Sequence, residues 1–328
     1  MRRRSLGILS LAILALVLAG MYLATKTPAP DVEEPHPIAV RPPILIGEDA
    51  DFTRVDAVSG CACVRAGSGT ERDPYVISGW AINASRINGI AIFGTSSYFT
   101  IRRVRVQGDG TSTGISLNRV ENGRIEDSSI VNNFIAAYVF LSRNLQFTNN
   151  TIEENVYGIQ LEASNGNRVS SNNFNQIKEV AIFVRGSENS IIENAIAGAF
   201  GGINVDGTAA GANSNLVQGN SVSNATNYGI GVWRAANTVV RSNWITQNQG
   251  VGIFLTEGSS NNLVEANQVT ENRRGGILLT KETSHNSIKG NTAKGNGDGA
   301  KFFDLEDYGS GNTWKNNAYD SKMPQTLD

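Results

Sequence analysis

The chain has 328 residues, with 28 Lys and Arg against 30 Asp and Glu, so its formal net charge is −2. A balance this close to zero excludes a nucleic-acid binder held mainly by phosphate contacts. Two Cys and two His exclude both a disulfide-rich scaffold and a zinc cluster built from several such ligands.

The first recognisable element is an apolar run near the N terminus. Arginines at positions 2, 3 and 4 precede Leu6–Ala24, a run of 19 residues without a charge. At about 1.5 Å per residue, a helix of this length nearly spans the ~30 Å hydrocarbon core of a bilayer. Arginines before such a run favour an N terminus that stays in the cytoplasm. Residues 1–25 therefore predict a signal-anchor helix or a cleaved signal peptide. The rest is expected to be exported, either anchored facing the periplasm or the cell exterior, or secreted.

Proline marks the next segment. Six of the eight prolines lie between Pro28 and Pro43, among acidic residues, which favours extended and solvated chain. We predict that residues 26–43 are a spacer between the membrane and a folded domain. At the other end, residues 318–328 show no apolar period and are expected to form a flexible tail.

The region between these segments, residues 44–317, is repetitive. All 36 Asn follow Trp80, and no Pro lies between Pro74 and Pro324. The motif Gly-Ile-x-aliphatic recurs at Gly89, Gly114, Gly158, Gly202, Gly229, Gly252 and Gly276, with Ala137 and Ala181 expected in the glycine position of two weaker copies. A second motif, Asn-x-aliphatic, follows at Asn150, Asn172, Asn194, Asn220, Asn243, Asn267 and Asn291.

Each repeat thus contains short pieces that alternate with period 2, which is typical of β-strands. Strands of three to five residues cannot bury a face alone, but identical coils can stack, with each strand pairing in parallel with its copy about 4.8 Å away. Stacked Asn side chains would satisfy the amides of the turns. The repeat predicts an all-β parallel β-helix of about ten coils.

These motifs resemble the right-handed parallel β-helix repeats of the NosD-like group, within the broader carbohydrate-binding and sugar-hydrolase β-helix class. The segment Gly67–Ile77 resembles the one that commonly opens such domains in exported prokaryotic proteins. The resemblance covers residues 44–317 and implies the fold, but such scaffolds host binding modules, lyases, epimerases and hydrolases alike. It also implies copper-site maturation, as for NosD proper. Three Met, two His and two Cys supply few soft ligands, so copper is disfavoured.

Candidate ligand-binding residues follow from the alternation within the repeat. Residues two and four after each glycine should point outward. The resulting outer column contains Gln160, Glu162, Phe183, Arg185, Asn204, Asp206, Trp233 with Arg234, Phe254, Thr256, Leu278 and Thr280. Aromatic rings stack on sugar faces, while amides and charged groups bind hydroxyls. We predict that Gln160, Phe183, Asn204, Trp233 and Phe254 bind a polysaccharide or envelope glycan. The alternatives are ordinary solvated positions or a protein partner on the exposed aromatics.

An enzymatic interpretation uses the same column. Asp206 with Arg185 and Arg234 would supply the base and the neutralising cations that a polyuronate lyase or epimerase needs. Glu162 and Asp206, two coils apart at about 9.6 Å, would suit an inverting hydrolase. Because there is no clustered Asp/His motif, a surface ion pair is the simpler interpretation. A non-catalytic binding or scaffold module is favoured over an enzyme.

Two smaller features leave alternatives open. Cys61 and Cys63 form a redox or metal pair, a structural disulfide, or two buried thiols. An acidic end contains Asp298, Asp304, Glu306 and Asp307. It is either a Ca²⁺ site or a polar cap against end-to-end stacking, and the cap is favoured. No other cofactor is expected.

Overall fold

The computed structural model describes residues 39–53, 62–207, 213–324 and 327. The predicted signal or anchor helix and residues 26–38 of the predicted spacer lie outside these ranges. Within them, no helix is long and apolar enough to cross a membrane.

The described chain consists of 36 short strands and one 3-10 turn at Asp49–Phe52. The first twelve strands are β1 Ala39–Arg41, β2 Ile44–Ile46, β3 Val64–Ala66, β4 Tyr75–Ser78, β5 Trp80–Asn83, β6 Ile90–Phe93, β7 Phe99–Arg102, β8 Arg105–Gln107, β9 Thr113–Asn118, β10 Gly123–Glu126, β11 Ser129–Val131 and β12 Ile135–Phe140. The next twelve are β13 Gln146–Thr148, β14 Thr151–Glu153, β15 Tyr157–Glu162, β16 Arg168–Ser170, β17 Asn173–Asn175, β18 Val180–Arg185, β19 Ser190–Ile192, β20 Ala195–Ala197, β21 Gly201–Asp206, β22 Leu216–Gln218, β23 Ser221–Ser223 and β24 Tyr228–Trp233. The last twelve are β25 Val239–Arg241, β26 Trp244–Thr246, β27 Val251–Thr256, β28 Leu263–Glu265, β29 Gln268–Thr270, β30 Ile277–Leu279, β31 Ser287–Lys289, β32 Thr292–Lys294, β33 Leu305–Asp307, β34 Thr313–Lys315, β35 Ala318–Tyr319 and β36 Lys322–Met323.

These strands form three 12-stranded sheets. Sheet I contains β1, β5, β8 and every third strand to β35; sheet II contains β3, β4, β7 and every third strand to β34; sheet III contains β2, β6, β9 and every third strand to β36. From β4 onward each coil contributes one strand to sheet II, then one to sheet I, then one to sheet III. The 33 strands from β4 to β36 make eleven such triplets, which confirms the predicted parallel solenoid. Only the β3–β4 pair in the described chain is antiparallel.

Inward aliphatic side chains hold the coils together. Ile159 and Leu161 pair in register with Ile182 and Val184, and all four are fully buried. The same alternation continues coil after coil, so the core is one continuous column from Ile44 to Leu327. The predicted inward positions of the repeat are confirmed.

Asparagine ladders line the corners between sheets. The Asn172 amide donates to the Phe147 carbonyl at 2.9 Å and to Asn194 Oδ1 at 3.0 Å, and its oxygen accepts the Asn150 backbone N–H at 2.9 Å. The same ladder contains Asn150, Asn172, Asn194, Asn220, Asn243, Asn267, Asn291 and Asn317. Each Asn therefore satisfies buried backbone groups of its own and adjacent coils, as the sequence predicts.

The folded region is longer than residues 44–317. Strand β1 falls within the predicted spacer, and β35 and β36 fall within the predicted tail, where they pair with β32 and β33. Strands of two or three residues are too short to show a period, so the sequence pattern misses them. Ala137 aligns with Ile115 and Ile159, so the predicted glycine position of that copy belongs to Ala136 instead.

Candidate functional site on sheet III

The outer face of sheet III carries the predicted outer column. From β9 to β27, each strand of sheet III has six residues, whereas the strands of sheets I and II have three or four. Sheet III therefore offers the widest surface. Its outward residues form two lines across the strands. The middle column contains Tyr138, Gln160, Phe183, Asn204, Gly231 and Phe254. The terminal column contains Phe140, Glu162, Arg185, Asp206, Trp233 and Thr256.

The pairing register brings most of the predicted site residues side by side. Gln160 lies beside Phe183 and Phe183 beside Asn204, while Glu162 lies beside Arg185. Trp233 occupies the terminal column next to Asp206. Gly231 takes the middle position of that coil. Arg234 lies just after the strand, exposed and with a φ of 51°.

A ladder of alternating charges crosses the terminal column. The Arg185 guanidinium donates to both oxygens of Glu162, at 3.2 and 3.3 Å, and to Asp206 Oδ2 at 3.0 Å. The Arg234 Nε lies 3.6 Å from Asp206 Oδ1, and Arg234 also forms an ion pair with Glu257. Negative and positive groups therefore alternate along five side chains, and each charge has an opposite neighbour.

Burial raises the pKa of Glu162 within this ladder and of Tyr138 and Tyr228 beside it. The pKa of the Glu162 carboxyl is raised above its ordinary value, first by burial and further by Asp206, while Arg185 opposes the shift. The pKa of the Tyr138 hydroxyl is raised by burial and then by the charge of Glu162. All three shifts come from loss of water around the charged form.

Aromatic rings cover the same coils. Trp233 lies across Gly231, where an added Cβ would approach the indole Nε1 to 2.5 Å. The Trp233 ring packs edge-on against the Phe254 ring, with the ring centroids 5.9 Å apart. It also packs at a tilt against the Tyr228 ring, with the centroids 6.1 Å apart. The Arg185 guanidinium stands 4.9 Å from the centre of the Phe183 ring. Because Gly231 has no side chain, the indole has room to pack over this coil, where it forms a half-buried aromatic platform.

More aromatic residues lie at the beginning of these strands, where the sequence analysis did not place any. Tyr228 crosses Gly201, and Phe134 packs edge-on against Tyr157 at 5.6 Å. Phe200 is 42% exposed. With those of the two columns, nine of the chain's 24 aromatic residues belong to this face. The Tyr that precedes the repeat glycine in two coils was the signal that could have found them.

Four buried polar atoms on this face have no hydrogen-bond partner in the described part of the chain. One is Asn118 Oδ1 at the end of β9, and the other three are Arg185 Nε, Asn204 Oδ1 and Trp233 Nε1. These three belong to successive strands of sheet III, β18, β21 and β24. An unpaired buried polar group costs about 1–3 kcal/mol, so three of them on adjacent coils are uncommon in a surface that only has to fold. Two donors and one acceptor thus lie beside the Trp233 and Phe254 rings.

The chemistry of the face is that of a surface for hydroxyl groups. Flat rings offer stacking, carboxylates accept hydrogen bonds, and Trp233 and Arg185 donate them. The Arg185 guanidinium fills the space between Glu162 and Asp206, so a water or a glycosidic oxygen placed there would have to displace it. The predicted catalytic roles of Asp206, Glu162, Arg185 and Arg234 stay predictions.

The acidic end of the chain uses its carboxylates to hold local structure. Asp298 accepts three backbone N–H groups, from residues 300 to 302, which lower its pKa to about 2. Asp304 accepts from Asn296 and Ser321, and Asp307 accepts from the indole of Trp314. Within the described ranges, no group of three or more His, Cys, Asp or Glu side chains is placed to hold a metal ion. These carboxylates therefore hold the turns of the last coils together, and the predicted polar cap stays a prediction.

The cysteine pair is only partly visible. Cys63 is buried and disulfide-bonded, and its carbonyl accepts the indole N–H of Trp80 at 3.0 Å. Cys61 lies outside the described residues. Cys63 is thus part of the N-terminal packing of the solenoid.

Comparison with known proteins agrees with this architecture. A family model described as right handed beta helix region matches residues 50–197 and 180–323. The chain belongs to this right-handed β-helix family. No curated protein sequence matches it.

Three solved structures of similar fold are two epimerases and a glucanase. The A-module of mannuronan C-5 epimerase AlgE6 from Azotobacter vinelandii is 16% identical, with a TM-score of 0.57 over 86% of this chain and 88% of that one. A variant of the periplasmic alginate epimerase AlgG is 14% identical, with a TM-score of 0.55 over 74% of this chain and 84% of that one. The catalytic unit of a GH87 α-1,3-glucanase from Streptomyces thermodiastaticus is 11% identical, with a TM-score of 0.52 over 76% and 62%. Identities this low show a shared fold alone.

Proposed function

We propose that this chain is an exported, NosD-like β-helix protein that binds a carbohydrate on the outer face of sheet III, as a glycan-binding or cell-envelope scaffold module. The observation that carries the proposal is the group of unpartnered polar atoms on Arg185, Asn204 and Trp233 beside half-buried aromatic rings. A sugar presents both the flat apolar face and the hydroxyl groups that such a surface lacks.

The charge ladder favours a ligand rich in hydroxyls over a polyanion. Arg185 and Arg234 are already paired with Glu162, Asp206 and Glu257, so the ladder has a net charge of −1, from two positive and three negative groups. Carboxylates held in this way remain good acceptors for hydroxyl groups. The polysaccharide-acting neighbours support a glycan as the ligand class.

The proposed location follows from the N-terminal sequence. An uncleaved Leu6–Ala24 helix would anchor the chain with the solenoid facing the periplasm or the cell exterior. A glycan of the envelope, or one arriving from outside, would then meet the sheet III face. Cleavage of the signal would release the same module in soluble form.

The test uses the purified full chain and a panel of neutral and uronate polysaccharides. Trp233→Ala removes the platform and is expected to weaken binding at least tenfold, about 1.4 kcal/mol, since a Trp in a contact surface often contributes this much. Trp244→Ala is the matched control, because Trp244 is 59% exposed on sheet I. It should leave binding unchanged. Equal losses in both variants would contradict the proposed site.

Gly231→Ala tests the same platform by adding an atom. The new Cβ would displace the indole from its position over Gly231, so retention on the glycan should fall although no aromatic ring is removed. The same samples are assayed for new chain ends and unsaturated sugars. A product that disappears in Asp206→Asn would make the protein an enzyme and overturn the binding-module assignment.

A further inference from the structure

A groove of 470 Å³ lies on sheet II, away from the sheet III face. Its volume falls within the ~300–1,000 Å³ common for ligand sites. Its lining includes Glu71, Tyr98, Arg124, Gln146 and Arg168. Nothing in the proposed function uses these residues.

One wall of the groove is the segment that opens the repeat domain. Residues 68 to 70 close a tight turn on the Asp73 carbonyl, and the Gly69 carbonyl accepts the Tyr98 backbone N–H at 2.9 Å. A Cβ on Gly69, whose φ is 81°, would lie 2.4 Å from the Tyr75 ring. The loop is therefore pressed onto the solenoid, and it holds Glu71 and Pro74 beside the groove.

Two arginines stand on the other side. Arg124 pairs in register with Gln146, and Gln146 with Arg168, so the two arginines share one outward line two coils apart. Their Cα atoms are about 9.6 Å apart, twice the spacing of neighbouring strands. Both are exposed, and in the described chain neither side chain has an ion pair or hydrogen bond. Arg143, Arg185 and Arg234, by contrast, are each paired with a carboxylate.

Carboxamides complete the lining. Asn144 donates to Asn122 Oδ1 at 3.4 Å, and Asn122 donates to the Ser96 carbonyl at 3.0 Å. The Gln146 side chain has no partner in the described chain. Glu71 is the single carboxylate among the lining residues, so the groove has a net charge of +1.

We propose that this groove binds a segment of acidic polysaccharide, with Arg124 and Arg168 pairing the carboxylates of alternate uronate residues and Gln146 contacting the sugar between them. Guanidinium groups match carboxylates bidentately. In an extended polymer of near two-fold symmetry, every second residue turns its carboxylate to the same side. Two such carboxylates can therefore face Arg124 and Arg168, which share one outward line. Carboxamides and the Tyr98 ring favour a sugar backbone over an acidic peptide. The site is independent of the one on sheet III.

The test measures the affinity of the full chain for galacturonate oligomers of defined length. The double variant Arg124→Gln/Arg168→Gln should bind hexagalacturonate at least tenfold more weakly than the unmodified chain. The control Arg86→Gln/Arg105→Gln removes two exposed arginines outside the groove, with the same change in net charge, and should stay within twofold. The variant Arg124→Gln/Arg168→Gln should leave binding of neutral polysaccharides to the sheet III face unchanged, which separates the groove from the sheet III site.

Ligand length sharpens the test. A trimer is the shortest oligomer that can place carboxylates on alternate residues, so affinity should rise at least tenfold from dimer to trimer. A carboxyl-reduced hexamer should not bind. The proposal is overturned if the control variant loses as much affinity as the groove variant, or if the dimer binds as tightly as the trimer. Equal binding of polyglutamate would also overturn it, because the groove would then recognise charge without recognising a sugar.

Discussion

Sheets I and III share one core but differ on their outer faces. From β8 to β32 the outward residues of sheet I are mostly small or polar, such as Thr151, Asn173 and Ser221, with Trp244 as the aromatic exception. Sheet III carries rings and ion pairs on consecutive coils. The core and the corner ladders hold both sheets in the same way, so the rings and ion pairs of sheet III are additional to them. This difference is the basis of the proposed glycan site.

The largest expected effect on stability is the difference between a buried Asn and an exposed Asn beside sheet I. Asn172→Ala removes a side chain that is bonded to Phe147, Asn150 and Asn194, and leaves buried backbone groups unpaired. We expect a loss of about 3 kcal/mol in the free energy of unfolding, measured by chemical denaturation. The neighbour Asn173 is exposed, so Asn173→Ala should change stability by less than about 0.5 kcal/mol.

A smaller effect is expected from the charge ladder. Asp206 is 8% exposed and contacts two arginines, so Asp206→Asn should lower the free energy of unfolding by about 2 kcal/mol. Glu265→Gln breaks an exposed pair with Lys289 on sheet II and should cost between about 0 and 1 kcal/mol. If the two variants lose the same stability, the ladder is no more than a set of surface ion pairs.

The smallest effect is a pH dependence. A raised pKa means that folded Glu162 holds its proton more tightly than the unfolded chain does. Its contribution to stability is therefore greatest at low pH and falls as pH rises from the ordinary value of 4.5 through the raised folded value. Glu162→Gln should lack this fall when the free energy of unfolding is measured across that window.

Asp298 should show the opposite dependence of stability on pH. Its pKa is lowered from 3.8 to about 2, so its contribution is present above the ordinary value and is lost as pH falls toward 2. The difference in stability between the unmodified chain and Asp298→Asn should therefore shrink on acidification. A change in the same direction for Glu162 and Asp298 would contradict the assigned causes.

Much of this arrangement could be predicted from the sequence. A strand pairs with the equivalent strand one repeat away, so the spacing of the glycines places Glu162 beside Arg185 and Phe183 beside Asn204. The corner ladders follow from the recurrent Asn, since an amide both donates and accepts along a stack.

Other parts depend on packing that the repeat pattern of the sequence does not determine. The indole of Trp233 lies over Gly231 because the missing Cβ leaves room, and the sequence pattern does not specify this side-chain rotamer. Phe200 lies at a corner, outside the alternating pattern. The sheet II groove was missed because one wall belongs to residues 67–74, ahead of the repeat, and only the fold brings that loop against Arg124.

The alternation of charge on sheet III limits how such a solenoid can change by duplication or deletion of coils. In the core and in the corner ladders one coil is equivalent to the next, so a single coil is an exchangeable unit. On the terminal column it is not, because removing the coil of Arg185 would set Glu162 against Asp206, about 4.8 Å apart, two negative charges in register. Here coils can be gained or lost without electrostatic cost only two at a time.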